Sequence, residues 1–258
     1  MQQGERARGL DRAIMILEFL REAKQPLSVG DIARGLSAPR SSVYEIVNTF
    51  VTADILEYAG AGAKVYFGKR IYLYGEMYST SRPLLRRAHD EVVRLAQVTG
   101  ETTQFCALVG NKYSVMYMET GSQLFRISSE VGALTPIPWT ASGRLLLGHL
   151  NDDEIRALVP PEDFQLPDGR IIPVERFCAE VREAVRNGFA MTSGLVDRFT
   201  TCLAVAVTGN AGRAVATICF VTSVDCSAHR REQLIGLLME SAAALSNGIP
   251  SRDEYPRC

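Results

Sequence analysis

From Ser28 to Val51 the chain reads SVGDIARGLSAPRSSVYEIVNTFV, and the fold turns on how this stretch divides. Ser28 offers a hydroxyl N-cap, and Asp31, three residues on, takes the place where a capping box carries Glu. The apolar Ile32, Ala33 and Leu36 follow. Ser37-Ala38-Pro39 breaks the pattern, and Pro39 suits the first turn of a new helix, where the N–H it lacks is not needed. In that helix Val43, Ile46, Val47, Phe50 and Val51 share one face. Two short helices joined by a tight turn, with the small Ala33 permitting a close crossing, predict a helix-turn-helix.

Upstream, Leu10, Ile14, Leu17 and Leu20 recur at spacings of three and four, which predicts an amphipathic helix from Gly9 to Ala23 with those residues as its buried stripe. Downstream, Ile55–Tyr58, the glycine-rich Ala59–Ala63 and Lys64–Phe67 read as strand, turn and strand, a small hairpin or wing. The glycines do not make a phosphate loop, because the G-x-x-x-x-G-K-[ST] spacing is missing and no helix opens behind them. A connecting helix is expected over Ile71–Ser81, and Pro83 begins another, with Leu84 or Leu85, Ala88, Val92, Leu95 and Ala96 inside and Gly100 as C-cap.

Beyond Gly100 the periodicity shifts towards two. Strands are expected at Thr102–Val109, Tyr113–Thr120, Leu124–Ser129, Phe189–Ser193, Thr201–Thr208 and Ala214–Thr222. Helices are expected at Thr140–Leu150, Asp152–Leu158, Val174–Arg186 and Ala228–Ser246. The fold class that follows is α+β: an N-terminal winged helix-turn-helix over 1–70, a linker helix over 71–81, and a mostly antiparallel sheet with packed helices over 82–258.

Composition agrees with two domains, since 258 residues exceed the roughly 150 of a typical one. With 47% apolar and 22% charged residues, disorder and fibrous repeats are poor readings. No apolar run approaches the roughly 18 residues of a membrane span, and the polar start Met1–Arg6 has no secretory signal, so no membrane association and a cytoplasmic location are expected. The six cysteines form no CxxC pair and the three histidines are scattered, so neither a metal nor a cofactor is expected. Residues 1–81 carry ten Lys/Arg against nine Asp/Glu and the remainder 18 against 20, so the chain lacks a basic excess. Placement matters more: Arg6, Arg8 and Arg12 crowd the start, and Lys64, Lys69 and Arg70 a later turn.

The helix after Pro39 has a polar face of Arg40, Ser41, Ser42, Tyr44, Glu45 and Asn48. Hydroxyls and Arg bind phosphates, Asn reads adenine, and Glu accepts from the cytosine amino group. A single such helix is by default a solvated face. The helix before it, the tight turn, the wing and the basic arm favour double-stranded DNA. Candidate DNA contacts are Arg8, Arg12, Ser28, Pro39, Arg40, Ser41, Ser42, Tyr44, Glu45, Asn48, Lys64, Lys69 and Arg70.

On these residues the sequence resembles the IclR-type transcriptional regulators: Gly9–Leu17 as opening helix, Ser37–Tyr44 as turn and recognition helix, and Gly62–Gly68 as wing. Further likeness lies in Thr99–Thr102, Val131-Gly132, Pro136, Thr140–Arg144, Asn187–Ala190 and the strand carrying Cys202. The resemblance implies a GAF-like effector-binding domain and a homodimer or homotetramer on palindromic operators. It also implies a small-molecule effector, a small organic acid and in one reading an aromatic one. It places the effector pocket on the sheet under a capping segment. The matching positions are Thr140, Ala141 and Gly143 at the cap, Cys202 and Cys219 on the strands, and Leu124, Ile127, Thr192 and Val221 beside them.

Three departures stand out. Glu45 replaces an expected Arg, so it either reads cytosine or folds back onto Arg40 or Arg12. Trp139 follows Pro138 beside the cap, placed to stack on an aromatic effector or to pack inside. Cys219 and Val221 stand where hydroxyls are expected, which favours a less polar effector. Two other classes compete. One is a thiol enzyme using Cys202, with His229 and Asp197 or Asp225 as base and orienter; the other is a GAF-like small-molecule module without DNA binding.

Overall fold

In the computed structural model, which describes residues 2–60, 63–122, 130–210, 212–247 and 249, with side chains from Gly9 on, the stretch after Ser28 folds as two helices crossing at a tight turn. The chain divides into two compact units, 1–81 and 82–258.

In the first unit α1 (Gln2–Ala23) precedes β1 (Leu27–Ser28), α2 (Val29–Gly35) and α3 (Arg40–Thr52). The Ser28 hydroxyl accepts from the Asp31 N–H at 3.1 Å and donates to the Asp31 carboxylate at 2.7 Å, closing the N-terminus of α2. Ser37 makes the turn in the left-handed region (φ 49°), and the Ala38 N–H returns to the Ala33 carbonyl at 2.9 Å. A strand pair follows, β2 (Leu56–Tyr58) and β3 (Lys64–Phe67), with β3 central between β1 and β2. The two-residue β1 was too short for a periodic signal. Ile16, Leu20, Ile32, Ala33, Val43, Val47, Leu56 and Val65 form the core.

The stripe expected on α1 is displaced. Leu10 and Ile14 are 68% and 59% exposed, whereas Ile16 and Leu20 are fully buried with Leu17 and Phe19 packed beside them. The core's α1 members come from the second half of the helix, so a regular spacing along its full length misplaces the buried face. Lys69 and Arg70, expected in a turn, lie in the first turn of α4 (Lys69–Thr80), which has no buried residue.

The second unit opens with α5 (Pro83–Thr99), whose expected stripe is buried and whose C-cap Gly100 is left-handed at φ 73°. Its strands are β4 (Thr102–Val109), β5 (Lys112–Glu119), β6 (Leu134–Pro136), β7 (Phe189–Ser193), β8 (Thr200–Thr208) and β9 (Ala214–Ser223). They form one antiparallel sheet in the order β6-β5-β4-β9-β8-β7. The helices are α6 (Ala141–Leu146), α7 (Asp152–Leu158), α8 (Val174–Asn187) and α9 (Ala228–Ser246).

Period-two alternation sends successive strand residues to two separate cores. Phe105, Leu203, Val205, Ile218 and Phe220 pack with residues of α5 and α9. Cys106, Ala204 and Cys219 pack with α6, α7 and α8. The helix expected over Thr140–Leu150 is shorter, with Thr140 as its N-cap, because the chain after Leu146 tightens into turns. The strand expected at Leu124–Ser129 lies outside the described residues.

Candidate nucleic-acid interface and effector cavity

On α3 the apolar Val43 and Val47 face inward and are essentially fully buried, which turns the opposite side outward. Pro39, Arg40, Ser41, Tyr44 and Glu45 are exposed, Tyr44 by 54%. Ser42 and Asn48 are half-buried. Lys64 on β3 and Lys69 and Arg70 on α4 are also exposed.

Three candidates are held by the protein itself. Arg12 donates to the Ser42 hydroxyl at 2.5 Å, tying α1 to the first turn of α3, and the Ser28 hydroxyl is committed to capping α2. These contacts fix the angle at which α3 stands out. Glu45 makes no ion pair with Arg12 or Arg40 among the described residues, so its carboxylate does not fold back. Arg70 lies 3.8 Å from Asp54, a surface pair with little energetic weight. The backbone of Arg8 continues α1, while its side chain lies outside the described residues, as does Gly62 of the wing.

In the second unit a cavity of about 250 Å³ lies against the α6–α8 face of the sheet. Trp139, Thr140 and Ala141 form one wall, and Thr192, Cys202, Cys219 and Val221 reach it from β7, β8 and β9. Leu124 and Ile127 lie outside the described residues. Gly143 does not line the cavity. A Cβ there would come within 2.2 Å of the Ile137 carbonyl oxygen, so glycine lets α6 close onto the turn that carries Trp139. Gln104 and Tyr113, which the sequence did not signal, also line the cavity, as do Ser142 of the capping stretch and Asp197, which the enzyme reading had set beside Cys202.

The wall is pinned from behind. Arg144, 5% exposed, donates to the Thr140 carbonyl at 2.7 Å and the Pro138 carbonyl at 3.3 Å, and to the Glu180 carboxylate at 3.0 and 2.6 Å. Burial pushes its guanidinium below the ordinary value, and Glu180 opposes that shift. The Thr140 hydroxyl accepts from the Gly143 N–H at 2.9 Å. The buried indole nitrogen of Trp139 has no hydrogen-bond partner among the described residues.

On the floor Tyr113 donates to the Cys106 sulfur at 2.8 Å, and the Cys106 and Cys219 sulfurs lie 3.9 Å apart. Burial pushes the Cys106 thiol and the Tyr113 phenol well above their ordinary values. Burial likewise pushes the Cys202 thiol up to about 12, with the Thr192 hydroxyl only partly offsetting it. A nucleophilic thiolate is thus disfavoured at neutral pH. His229 sits on α9, whose core lies on the other face of the sheet, and is in hydrogen-bond contact with Gln233 at 3.1 Å. The Cys202–His229 pair of the enzyme reading is therefore not assembled. Among the described residues no group of His, Cys, Asp or Glu could hold a metal ion, and no helix is long and apolar enough to cross a membrane.

Residues 9–60 match the IclR helix-turn-helix domain, and residues 76–247 match the C-terminal domain of bacterial IclR transcriptional regulators. The chain is 22% identical over 246 residues to the HTH-type transcriptional regulator XynR of Escherichia coli, covering 93% of this chain and 96% of that one. It is also 22% identical over 213 residues to the transcriptional repressor AllR of Salmonella typhimurium (82% and 78% covered). Among solved structures, an IclR transcriptional regulator from a Silicibacter species superposes with a TM-score of 0.81 at 18% identity, covering 96% of this chain and all of that one. An IclR homologue from Microbacterium hydrocarbonoxydans, complexed with 4-hydroxybenzoate, gives 0.78 at 22% identity (92% and 97% covered). The chain belongs to the IclR family of helix-turn-helix transcriptional regulators with an effector-binding C-terminal domain.

Proposed function

We propose that the protein is a ligand-responsive repressor acting in the cytoplasm, which binds palindromic operator DNA as a homodimer or a pair of dimers. The observation that carries this reading is the outward face of α3. Arg40 and Ser41 stand free to meet phosphates, Tyr44, Glu45 and Asn48 stand towards base edges, and Lys64, Lys69 and Arg70 flank them. Glu45, which makes no ion pair with Arg12 or Arg40, is suited to accept from a cytosine amino group. Arg12, Ser28 and Ser42 act by positioning α3.

A second copy is favoured by apolar side chains left outside the first unit: Leu10, Ile14 and Met15 on α1, and Tyr72, Leu73 and Met77 on α4, are each 48–68% exposed. The effector is a small organic molecule held in the cavity beside Trp139. An aromatic body agrees with that indole and with the ligand of the Microbacterium relative. The described lining contains no cation to pair with the carboxylate of the small organic acid expected from sequence. Effector binding shifts the population of operator-competent dimers.

The test is a gel-shift titration of the full chain against the DNA upstream of its own gene over a range of salt. Specific retention is expected, with log K falling linearly with log salt. Equal binding to unrelated DNA of the same length overturns the operator reading.

A further inference from the structure

The cavity carries a charge pattern that its reading as a small-molecule site leaves unused. We propose that its ligand presents an amine, cationic at neutral pH, to Asp197 and an oxygen-bearing aromatic body to Trp139, and that the cavity discriminates against carboxylates. This rests on the cavity being the effector site.

Among the described lining residues there is no Lys, Arg or His, and Asp197 supplies a carboxylate. Asp197 is half-buried. One of its oxygens accepts from the Phe199 N–H at 2.9 Å, and it makes no ion pair with any described residue. The neighbouring cation, Arg198, lies over the Phe199 ring, 4.6 Å from its centroid. The negative charge of Asp197 is felt at the cavity floor, where it helps raise the Cys202 thiol.

Three hydroxyl donors of the lining are taken up within the protein. The Thr140 hydroxyl donates to the Ile137 carbonyl at 3.2 Å, the Thr200 hydroxyl to the Asp197 carbonyl at 3.2 Å, and the Tyr113 phenol to Cys106. The buried indole N–H of Trp139 has no acceptor among the described residues, and a ligand oxygen there would satisfy it. A cation beside that ring gains from the π face as well as from Asp197. A carboxylate in the same place meets a like charge in a medium of reduced dielectric.

Trp139 is the only tryptophan, so its emission reports this cavity alone. The full-length protein is titrated with tyramine, 4-hydroxyphenethyl alcohol and 4-hydroxyphenylacetate, which share a phenol and differ in the charge of the side chain. Tyramine is expected to change the emission at a concentration at least about tenfold below that of the carboxylate. Asp197→Asn, whose side-chain oxygen can still accept from the Phe199 N–H, is expected to remove that preference. Tighter binding of the carboxylate, or a tyramine preference that survives Asp197→Asn, overturns the inference and leaves the effector reading standing. Silence of Trp139 towards all three overturns the inference, and operator affinity unmoved by any small molecule overturns the effector reading with it.

Discussion

Arg40, Tyr44 and Glu45 stand on the outside of one helix whose inside is Val43 and Val47. Gln104, Cys202 and Cys219 meet only because β4, β9 and β8 are hydrogen-bonded in one register, with Gln104 opposite Cys219 and Cys202 opposite Val221. The first arrangement is local: a single helical period decides what is buried, and everything else is offered to solvent. The second is created by the fold, from residues spread over more than a hundred positions. A damaged core in the DNA-binding unit therefore costs the interface, whereas the cavity depends on the polar pins behind its wall.

That contrast can be broken most forcefully by Leu20→Ala. Truncating this fully buried side chain is expected to destabilise the first unit by about 3 kcal/mol. Operator binding should be lost at a temperature where Trp139 emission is unchanged. Joint loss of both signals at one temperature would show the two units unfolding as one.

Glu180→Ala is the counterpart in the second unit. It leaves Arg144 buried with its carbonyl partners but no carboxylate, at a cost of about 2 kcal/mol, and should shift Trp139 emission. The Glu180 carboxyl is held below its ordinary value of 4.5, burial being outweighed by Arg144 and Arg176. Its stabilising contribution is therefore complete above that value and fades as pH falls through the depressed one, so the gap between wild type and variant should narrow in acid. Denaturant melts across pH check both statements.

Arg40→Ala should leave stability unchanged, weaken operator binding and lower the salt slope by about one unit. An unchanged slope would move the phosphate contact elsewhere. Thr140→Ala, which removes the α6 cap, is expected to cost about 1 kcal/mol and to weaken ligand binding. The smallest effect expected is at Cys202. With its thiol near 12, alkylation at pH 7–8 should be far slower than for a free thiol, and fast modification would revive a nucleophilic role.

The sequence was most legible where one element carries both signals. Ser28 and Pro39 mark the starts of α2 and α3, the apolar face of α3 implies its polar face, and Gly100 and Gly188 close their helices in the left-handed conformation. It misled on α1, where only the second half of the helix supplies the core. The cavity was legible through family resemblance at Thr140, Cys202 and Cys219, and Asp197 was singled out beside Cys202 for a different role, but Gln104 and Tyr113 have no local signature. Their roles come from strand pairing. Gly143 looked like a ligand contact because it sits within the capping segment, and only the 2.2 Å approach to Ile137 gives the reason for glycine.

The most direct measurement titrates small molecules while recording Trp139 emission and operator affinity on the same sample. A molecule that changes the indole signal at a given concentration should change operator affinity over the same range, with the two curves superimposing. Emission that responds while operator affinity stays fixed would contradict the link between cavity and DNA.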